Sequence, residues 1–392
     1  MGTFPGHAEG GSARDRAQSA VAGLDWWLLG SAIAVSGFGV YVVKVATEGD
    51  VLGDPGYFFT RQVAYSLIGL VALFFALRID LERLSRYVWT LYAILIAAVG
   101  IVLVLGSSAR GSTRWIELGP MRLQPSELGK VVIAFVLAVI VVERIRTMEP
   151  ARLSLLIAGI AAIPAAIVFL QPDLGTALVY AAITVTILWV AGQPITHFML
   201  AGVVVVTLLA LVLYLLPAVG LNVLQPYQVD RLTAFVDSGA DRSQTGYQLE
   251  QSKVAIGSGG AFGKGPSGAT QTINDFLPEH HTDFIFAVVA EMFGFLGAGL
   301  LIALYFVIIW RCLVIMRSAH TELDRLMAAG LTGMLAFEVF VNIGMNVGIM
   351  PITGIPLPFM SYGGSHTLTN LVAVGVLLRI GRRGRELGPR TR

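Results

Sequence analysis

The sequence contains ten apolar segments, each near the length that crosses a lipid bilayer. They cover approximately 26–47, 60–79, 84–106, 126–146, 152–170, 174–192, 195–217, 283–316, 324–348 and 365–381. A hydrocarbon core needs about 20 apolar residues per helix. Inside it every backbone amide must find a partner within the chain, which restricts such segments to helices unless strands close into a barrel. The chain therefore reads as an all-α polytopic integral membrane protein with about ten transmembrane helices. Composition agrees: 55% of residues are hydrophobic and only 13% charged, against about a quarter charged in soluble domains. A net charge of +2 gives no basic surface for nucleic acid. The single cysteine, Cys312, allows neither an internal disulfide nor a zinc cluster.

Ten spans place both termini on one side, and positive charge selects that side. With the termini inside, 17 of the 27 Lys and Arg fall on inner segments, including Arg78, Arg83, Arg86, Arg144, Arg146, Arg152 and six arginines from Arg379 onward. All four lysines fall outside or at outer span ends. Residues 1–24, rich in Gly, Ala, Ser and Arg, read as a disordered cytoplasmic tail rather than a signal peptide. Residues 25–381 form the membrane domain, and 382–392 a basic cytoplasmic tail. The largest outer loop is 218–282, between the seventh and eighth spans, with further outer segments at 107–125 and 349–364. The dense polar motifs lie in these outer segments or at adjoining span ends, so chemistry is expected on the outer face.

Five motifs carry the polar residues. In 111–130, Gln124-Pro125-Ser126-Glu127 reads as a helix start, and Glu127 and Lys130 are spaced to pair on one face. Either they form a structural ion pair, or Lys130 and Arg114 line a cavity for an anion. In Gln171-Pro172-Asp173, the aspartate is expected to cap the sixth span. The run from Gly246 to Gly265 is rich in glycine but matches neither a Walker A nor a dinucleotide fingerprint, since Ser258 and Phe262 stand where glycine is needed. Lys264 and nearby N–H groups remain as a phosphate-binding alternative.

The fourth motif, FLPEHHTDFIFAVVAE at 276–291, sets Glu279, His280, His281, Thr282 and Asp283 at the mouth of a span. Adjacent His280 and His281 make a poor chelate, with no cysteine or third histidine nearby, so no metal site is assigned from the pair. Asp283 reads as a helix cap or as a general base, and the residues alone leave both open. Glu291, an acid within a span, is a functional candidate. In the fifth, 344–370, three prolines and several glycines exclude a continuous helix, and its apolar side chains suggest a buried irregular wall.

Together RWI at 114–116, QPSELGK at 124–130, QPDLGTA at 171–177, the HHTDF stretch and GIPLPFMSYGGS at 354–365 resemble the SEDS family (shape, elongation, division and sporulation) over most of the chain. GIPLPF is closer to the elongation branch than to the division branch. The resemblance implies an inverting glycosyltransferase that polymerises the lipid-linked disaccharide lipid II into peptidoglycan strands at the outer face of the bacterial cytoplasmic membrane. It implies Asp283 as the catalytic residue. Candidate substrate-binding residues are Lys130, Glu127, Arg114, Arg231, Gln124, Glu279, Lys264 and Ser361. Met292 departs from the second acid common in the family after Glu291. No tightly bound cofactor is implied, although a divalent cation, Mg or Mn, would suit the leaving diphosphate. Implied partners are a class B penicillin-binding protein (a transpeptidase), elongation-machinery membrane proteins and membrane lipids. The competing reading is a lipid II flippase or other transporter, which polar residues in spans would also serve; the chain shows no internal repeat of the kind transporters carry.

Overall fold

The computed structural model describes residues 23–51, 53–105, 107–109, 112–118, 121–211 and 244–387. Its helices are α1 (Trp26–Ala46), α2 (Tyr57–Ala76), the short α3 (Leu81–Ser85), α4 (Val88–Leu105), α5 (Pro125–Arg144), α6 (Pro150–Leu170), α7 (Leu174–Val190) and α8 (Ile195–Ala210). After these come α9 (Gln244–Ser258), the one-turn α10 (Thr270–Ile273), α11 (Ile285–Arg317), α12 (Glu322–Val347) and α13 (Gly364–Leu387). Each predicted span coincides with one helix. The seventh is described only to residue 211, and most of the predicted loop 218–282 before Gln244 lies outside the described residues. Among the described residues, six helices are long and apolar enough to cross a membrane, and α4, α7 and part of α8 are shorter apolar helices.

Burial divides the helices into a centre and a rim. In α5 and α12, 78% and 72% of the apolar window is buried, against 22% in α2. The exposed faces stay apolar: Leu67, Val71, Phe74 and Phe75 on α2, Val203 to Val206 on α8, and Leu300, Phe306 and Trp310 on α11. A soluble helix turns a polar stripe outward, whereas a helix apolar on its outer face is solvated by lipid. Residues 107–123 contain a small antiparallel sheet rather than a plain loop. Its strands are β1 (Ser107–Ala109), β2 (Ser112–Leu118) and β3 (Met121–Leu123), with Ser107 opposite Trp115 and Ile116 opposite Leu123.

The long eighth span is not one continuous helix. α11 breaks at Gly294, where φ is +67°, a value that side chains disfavour. A break at membrane depth frees backbone groups that water cannot reach. The glycine-rich segment supplies their partners. Lys264 N and Gly265 N donate to the carbonyls of Glu291 and Met292, both at 3.0 Å. Phe295 N and Leu296 N donate to the carbonyls of Gly260 and Ala261, at 2.8 and 3.1 Å. A Cβ on Gly263 would stand 2.2 Å from the Met292 carbonyl oxygen, so only glycine lets the two backbones approach. The N–H groups of Lys264 and Gly265 are thus bound within the protein, which removes the phosphate-binding reading of their amides.

At the end of the bundle carrying the arginine clusters, buried acids tie the helices together. Asp25 caps α1 through Leu28 N (3.1 Å) and receives Arg311 of α11 (2.6 Å) and Arg385 of α13 (2.8 Å). Asp324 lies between Arg379 and Arg383, 3.6 Å from each, and Arg383 also reaches Glu82 at 2.7 Å.

Candidate active site

The opposite end gathers the polar motifs. The Gln-Pro-Ser-Glu motif opens α5 with Pro125 at its first turn, where a missing N–H costs nothing. Glu127 and Lys130 then project into the bundle. The Lys130 ammonium lies 2.7 Å from Glu127 Oε1 and 2.7 Å from Glu338 Oε1 on α12. The second oxygen of Glu127 meets His366 Nδ1 of α13 at 3.1 Å, and His366 Nε2 lies 3.1 Å from Asn370. All five side chains are buried. Charges out of reach of water need partners of opposite sign. Two carboxylates around one ammonium and one imidazole meet that need across three helices. Lys130 is thus an ion-paired tie between α5 and α12.

A second cluster orders the turn before α7. Asp173 caps that helix, accepting from Thr176 N (3.2 Å) and Thr176 Oγ1 (2.9 Å), as its position suggested. It also receives Gln124 Nε2 at 2.8 Å. Arg114 from β2 donates through Nε to the Gln171 carbonyl (3.3 Å) and through Nη2 to the Pro172 carbonyl, and its Nη1 stands 3.8 Å from Asp173. Gln124 N donates to Ser365 Oγ at 2.8 Å, joining the cluster to α13.

The third cluster surrounds Asp283. α11 starts at Ile285 with Phe284 in the cap position, so Asp283 precedes the helix rather than capping it. Its backbone carbonyl accepts from Asn342 Nδ2 (2.9 Å) and Asn346 Nδ2 (3.1 Å), both on α12. Asn346 Oδ1 accepts from Ala287 N (3.1 Å), holding the first turn of α11. Ser361 donates to the Thr282 carbonyl (2.6 Å), and Tyr362 N donates to the His281 carbonyl (2.9 Å). The irregular segment 351–361 is thereby clamped to the turn, with Ile352, Ile355, Leu357, Phe359 and Met360 buried as its apolar sequence predicted. Asp283 itself is partly exposed.

Glu338, Asn342 and Asn346 recur every fourth residue on one face of α12. A helix rises about 6 Å per four residues. This column therefore runs from the Lys130 ammonium to the Asp283 carbonyl in two steps, connecting two motifs that lie far apart in sequence. Sequence reading missed all three residues, along with His366 and Asn370. The visible signal was a polar residue at every fourth position of an apolar span.

The other candidates are placed as follows. Glu279 accepts from Thr282 Oγ1 at 3.0 Å, and its φ is +58°. Lys264 Nζ lies 3.7 Å from Glu291 Oε1. Arg231 lies outside the described residues. Glu291 is fully buried and accepts from Gln271 N (2.9 Å), Thr272 N (3.2 Å) and Thr272 Oγ1 (2.9 Å). It caps the short α10, so its burial within a span is explained by anchoring the preceding loop to α11. Asp50, from the connection between α1 and α2, reaches His280 Nε2 at 3.2 Å. Burial alone would lower the His280 pKa; the Asp50 carboxylate and the Leu277 carbonyl outweigh it and hold the imidazole above its ordinary value.

Comparison with known proteins adds family membership to this geometry. The family model for FtsW, RodA and SpoVE, described as a cell cycle protein, matches residues 23–386. The probable peptidoglycan glycosyltransferase FtsW of Nitrosococcus halophilus (strain Nc4) is 36% identical over 371 residues, covering 91% of this chain and 92% of that one. The solved rod shape determining protein RodA of Thermus thermophilus superposes with a TM-score of 0.66 at 28% identity, covering 92% and 97%. A chain from a structure described as a peptidoglycan synthase complex that coordinates polymerization and crosslinking superposes with a TM-score of 0.75 at 29% identity, covering 92% and 98%.

Proposed function

The chain belongs to the SEDS family of FtsW, RodA and SpoVE, and from that membership we propose that it is a peptidoglycan glycosyltransferase that polymerises lipid II. The observation that carries the proposal is the support around Asp283. A catalytic base must be held within a fraction of an ångström of its working position. Here the Asp283 carbonyl is gripped by two asparagines, and the residues before it are bonded to 361–362.

The reaction follows from the substrates. A sugar 4-hydroxyl attacks C1 of a second lipid-linked sugar. The C1–O bond to the diphosphate breaks, and undecaprenyl diphosphate leaves with the electron pair. The hydroxyl proton passes to the Asp283 carboxylate. An α-linked diphosphate becomes a β-1,4 bond, so configuration inverts in one displacement and no covalent enzyme intermediate forms. Arg114, Arg231 or Lys130 is the cation that the sequence offers to stabilise the developing negative charge. Of these Arg114 is partly exposed, whereas Lys130 is buried between two carboxylates and acts by fixing α5 against α12. A divalent cation would supply further charge to the diphosphate when bound.

The positive-inside count supports a cytoplasmic membrane location, with both termini cytoplasmic and the Asp283 end outside. The elongation role is proposed from GIPLPF at 354–359; relatives named FtsW and a rod shape determining protein RodA both match the chain. The likeness to a chain of a synthase complex supports a class B penicillin-binding protein as partner. The test is purified protein with labelled lipid II. Polymer formed by the wild type and lost in Asp283→Asn supports the polymerase. Translocation across vesicles without polymer overturns it in favour of a flippase.

A further inference from the structure

Asp50, His280 and His281 come together at the Asp283 end of the bundle. Asp50 Oδ2 is 3.2 Å from His280 Nε2 and 3.9 Å from His281 Nδ1. The three potential ligand atoms all lie within 4.8 Å of one another. Metal bonds to imidazole nitrogen and carboxylate oxygen are about 2.0–2.2 Å, which sets neighbouring ligand atoms about 3–4 Å apart in tetrahedral or octahedral geometry. Adjacent histidines on a regular element diverge. In this turn the two rings instead stand 5.2 Å apart at 73° and share one carboxylate. The His281 ring is held by Phe58 (4.6 Å) and Tyr362 (5.7 Å).

Proton placement favours a cation. His280 Nδ1 lies 3.1 Å from the Leu277 carbonyl oxygen. A carbonyl only accepts, so Nδ1 carries a proton, and in the neutral ring Nε2 is a lone pair. Nε2 faces the Asp50 carboxylate oxygen at 3.2 Å, a contact that needs a proton or a metal ion between the two atoms. A positive centre belongs between them. A proton bridges only two atoms, whereas a metal ion also takes the third, His281 Nδ1. An Nδ1–H bonded to a backbone carbonyl is the usual outer support of a histidine that ligates through Nε2.

We propose that Asp50, His280 and His281 bind one divalent transition-metal ion, which staples the α1–α2 connection to the turn carrying Asp283. Two imidazoles and one carboxylate suit Zn²⁺, Co²⁺ or similar ions rather than Mg²⁺ or Ca²⁺, which prefer all-oxygen sites. The proposal stands whether or not the protein polymerises lipid II.

The test is metal binding by the full-length chain, purified in detergent without a polyhistidine tag, stripped with a chelator and titrated with Co²⁺ alone. The expected result is one equivalent bound, with visible ligand-field bands of mixed nitrogen and oxygen coordination. His280→Gln and Asp50→Asn should each weaken binding more than about tenfold while keeping the wild-type thermal melt. If one variant does not fold, the other carries the comparison, and the wild-type stoichiometry and spectrum need neither. Absence of saturable Co²⁺ binding overturns the proposal. So does binding that both variants leave unchanged, or a His280 imidazole whose NMR titration is identical with and without the metal.

Discussion

The Lys130 ammonium stands 2.7 Å from Glu338 Oε1, joining α5 to α12 where both side chains are buried. Removing one partner of a buried pair leaves an uncompensated charge, at a cost of about 3–5 kcal/mol. Lys130→Met leaves Glu127 and Glu338 facing one another and should lower stability by that order in detergent unfolding. In a Glu338→Gln background the same change should cost clearly less, because one carboxylate charge is already gone. Additive losses would show that the two residues do not form one unit.

Asp283→Asn keeps the shape and removes the proposed base. Loss of general base catalysis is worth about 10²–10⁴-fold. Polymerisation of lipid II should fall by that range while the melting temperature holds, read from product gels and a thermal melt on one preparation. A rate within a factor of a few of wild type would remove Asp283 from the role.

If Asp283 is the base, Asn346 positions it. It donates to the Asp283 carbonyl and accepts from Ala287 N. Asn346→Ala should slow turnover without abolishing it, leave KM for lipid II nearly unchanged and preserve the shape of the pH–rate profile. A change in KM alone would instead assign Asn346 to substrate binding.

Gly263 and Gly294 meet where loop and helix exchange hydrogen bonds. Both have positive φ, and a Cβ on Gly263 would stand 2.2 Å from the Met292 carbonyl oxygen. Gly263→Val should cost about 3 kcal/mol or more and expose 259–265 to limited proteolysis. Gly257→Ala, where a Cβ meets nothing within 4 Å inside a helix, should keep or slightly raise stability and serves as the control.

At the arginine-rich end, Asp80 caps α3 through the N–H groups of Arg83 and Glu82. The backbone bond from Arg83 is the largest influence, and with the Arg379 and Arg83 charges it holds the Asp80 carboxyl below its ordinary range. The folded pKa lies below the unfolded one, so the stabilisation is full above the unfolded value, about 3.9, and fades as pH falls through the folded value. Asp80→Asn should lower stability at neutral pH, leave it nearly unchanged at the acid end and so flatten the acid limb of the curve, measured by thermal melts from neutral to about pH 3.

The spans were legible because a helix in lipid needs a long apolar run, and each run found its helix. Local signals also held: Asp173 caps α7 as its place after Gln171-Pro172 implied. The Glu127–Lys130 pair was legible as a pair from its three-residue spacing. Its partners Glu338 and His366 were not, since nothing in a single sequence says which helices face each other. The glycine run misled in a specific way. Glycines and free N–H groups look alike whether they await a phosphate or a broken helix, and only the break at Gly294, one helix later, tells them apart. Asp50 escaped notice for the same reason: it becomes a neighbour of His280 and His281 only through the packing of α1 and α2 beside the turn.

The splice at Gly294 bears on how the chain enters the membrane. A helix interrupted in lipid carries exposed polar groups that oppose its insertion. Their partners, Gly260 to Gly265, lie upstream and emerge from the ribosome before α11 does. The mate for the broken helix is therefore already synthesised when α11 meets the bilayer. The order of synthesis would let the loop guide insertion, and a rearranged gene that moved it downstream of α11 would be expected to insert poorly even though every native contact remained available.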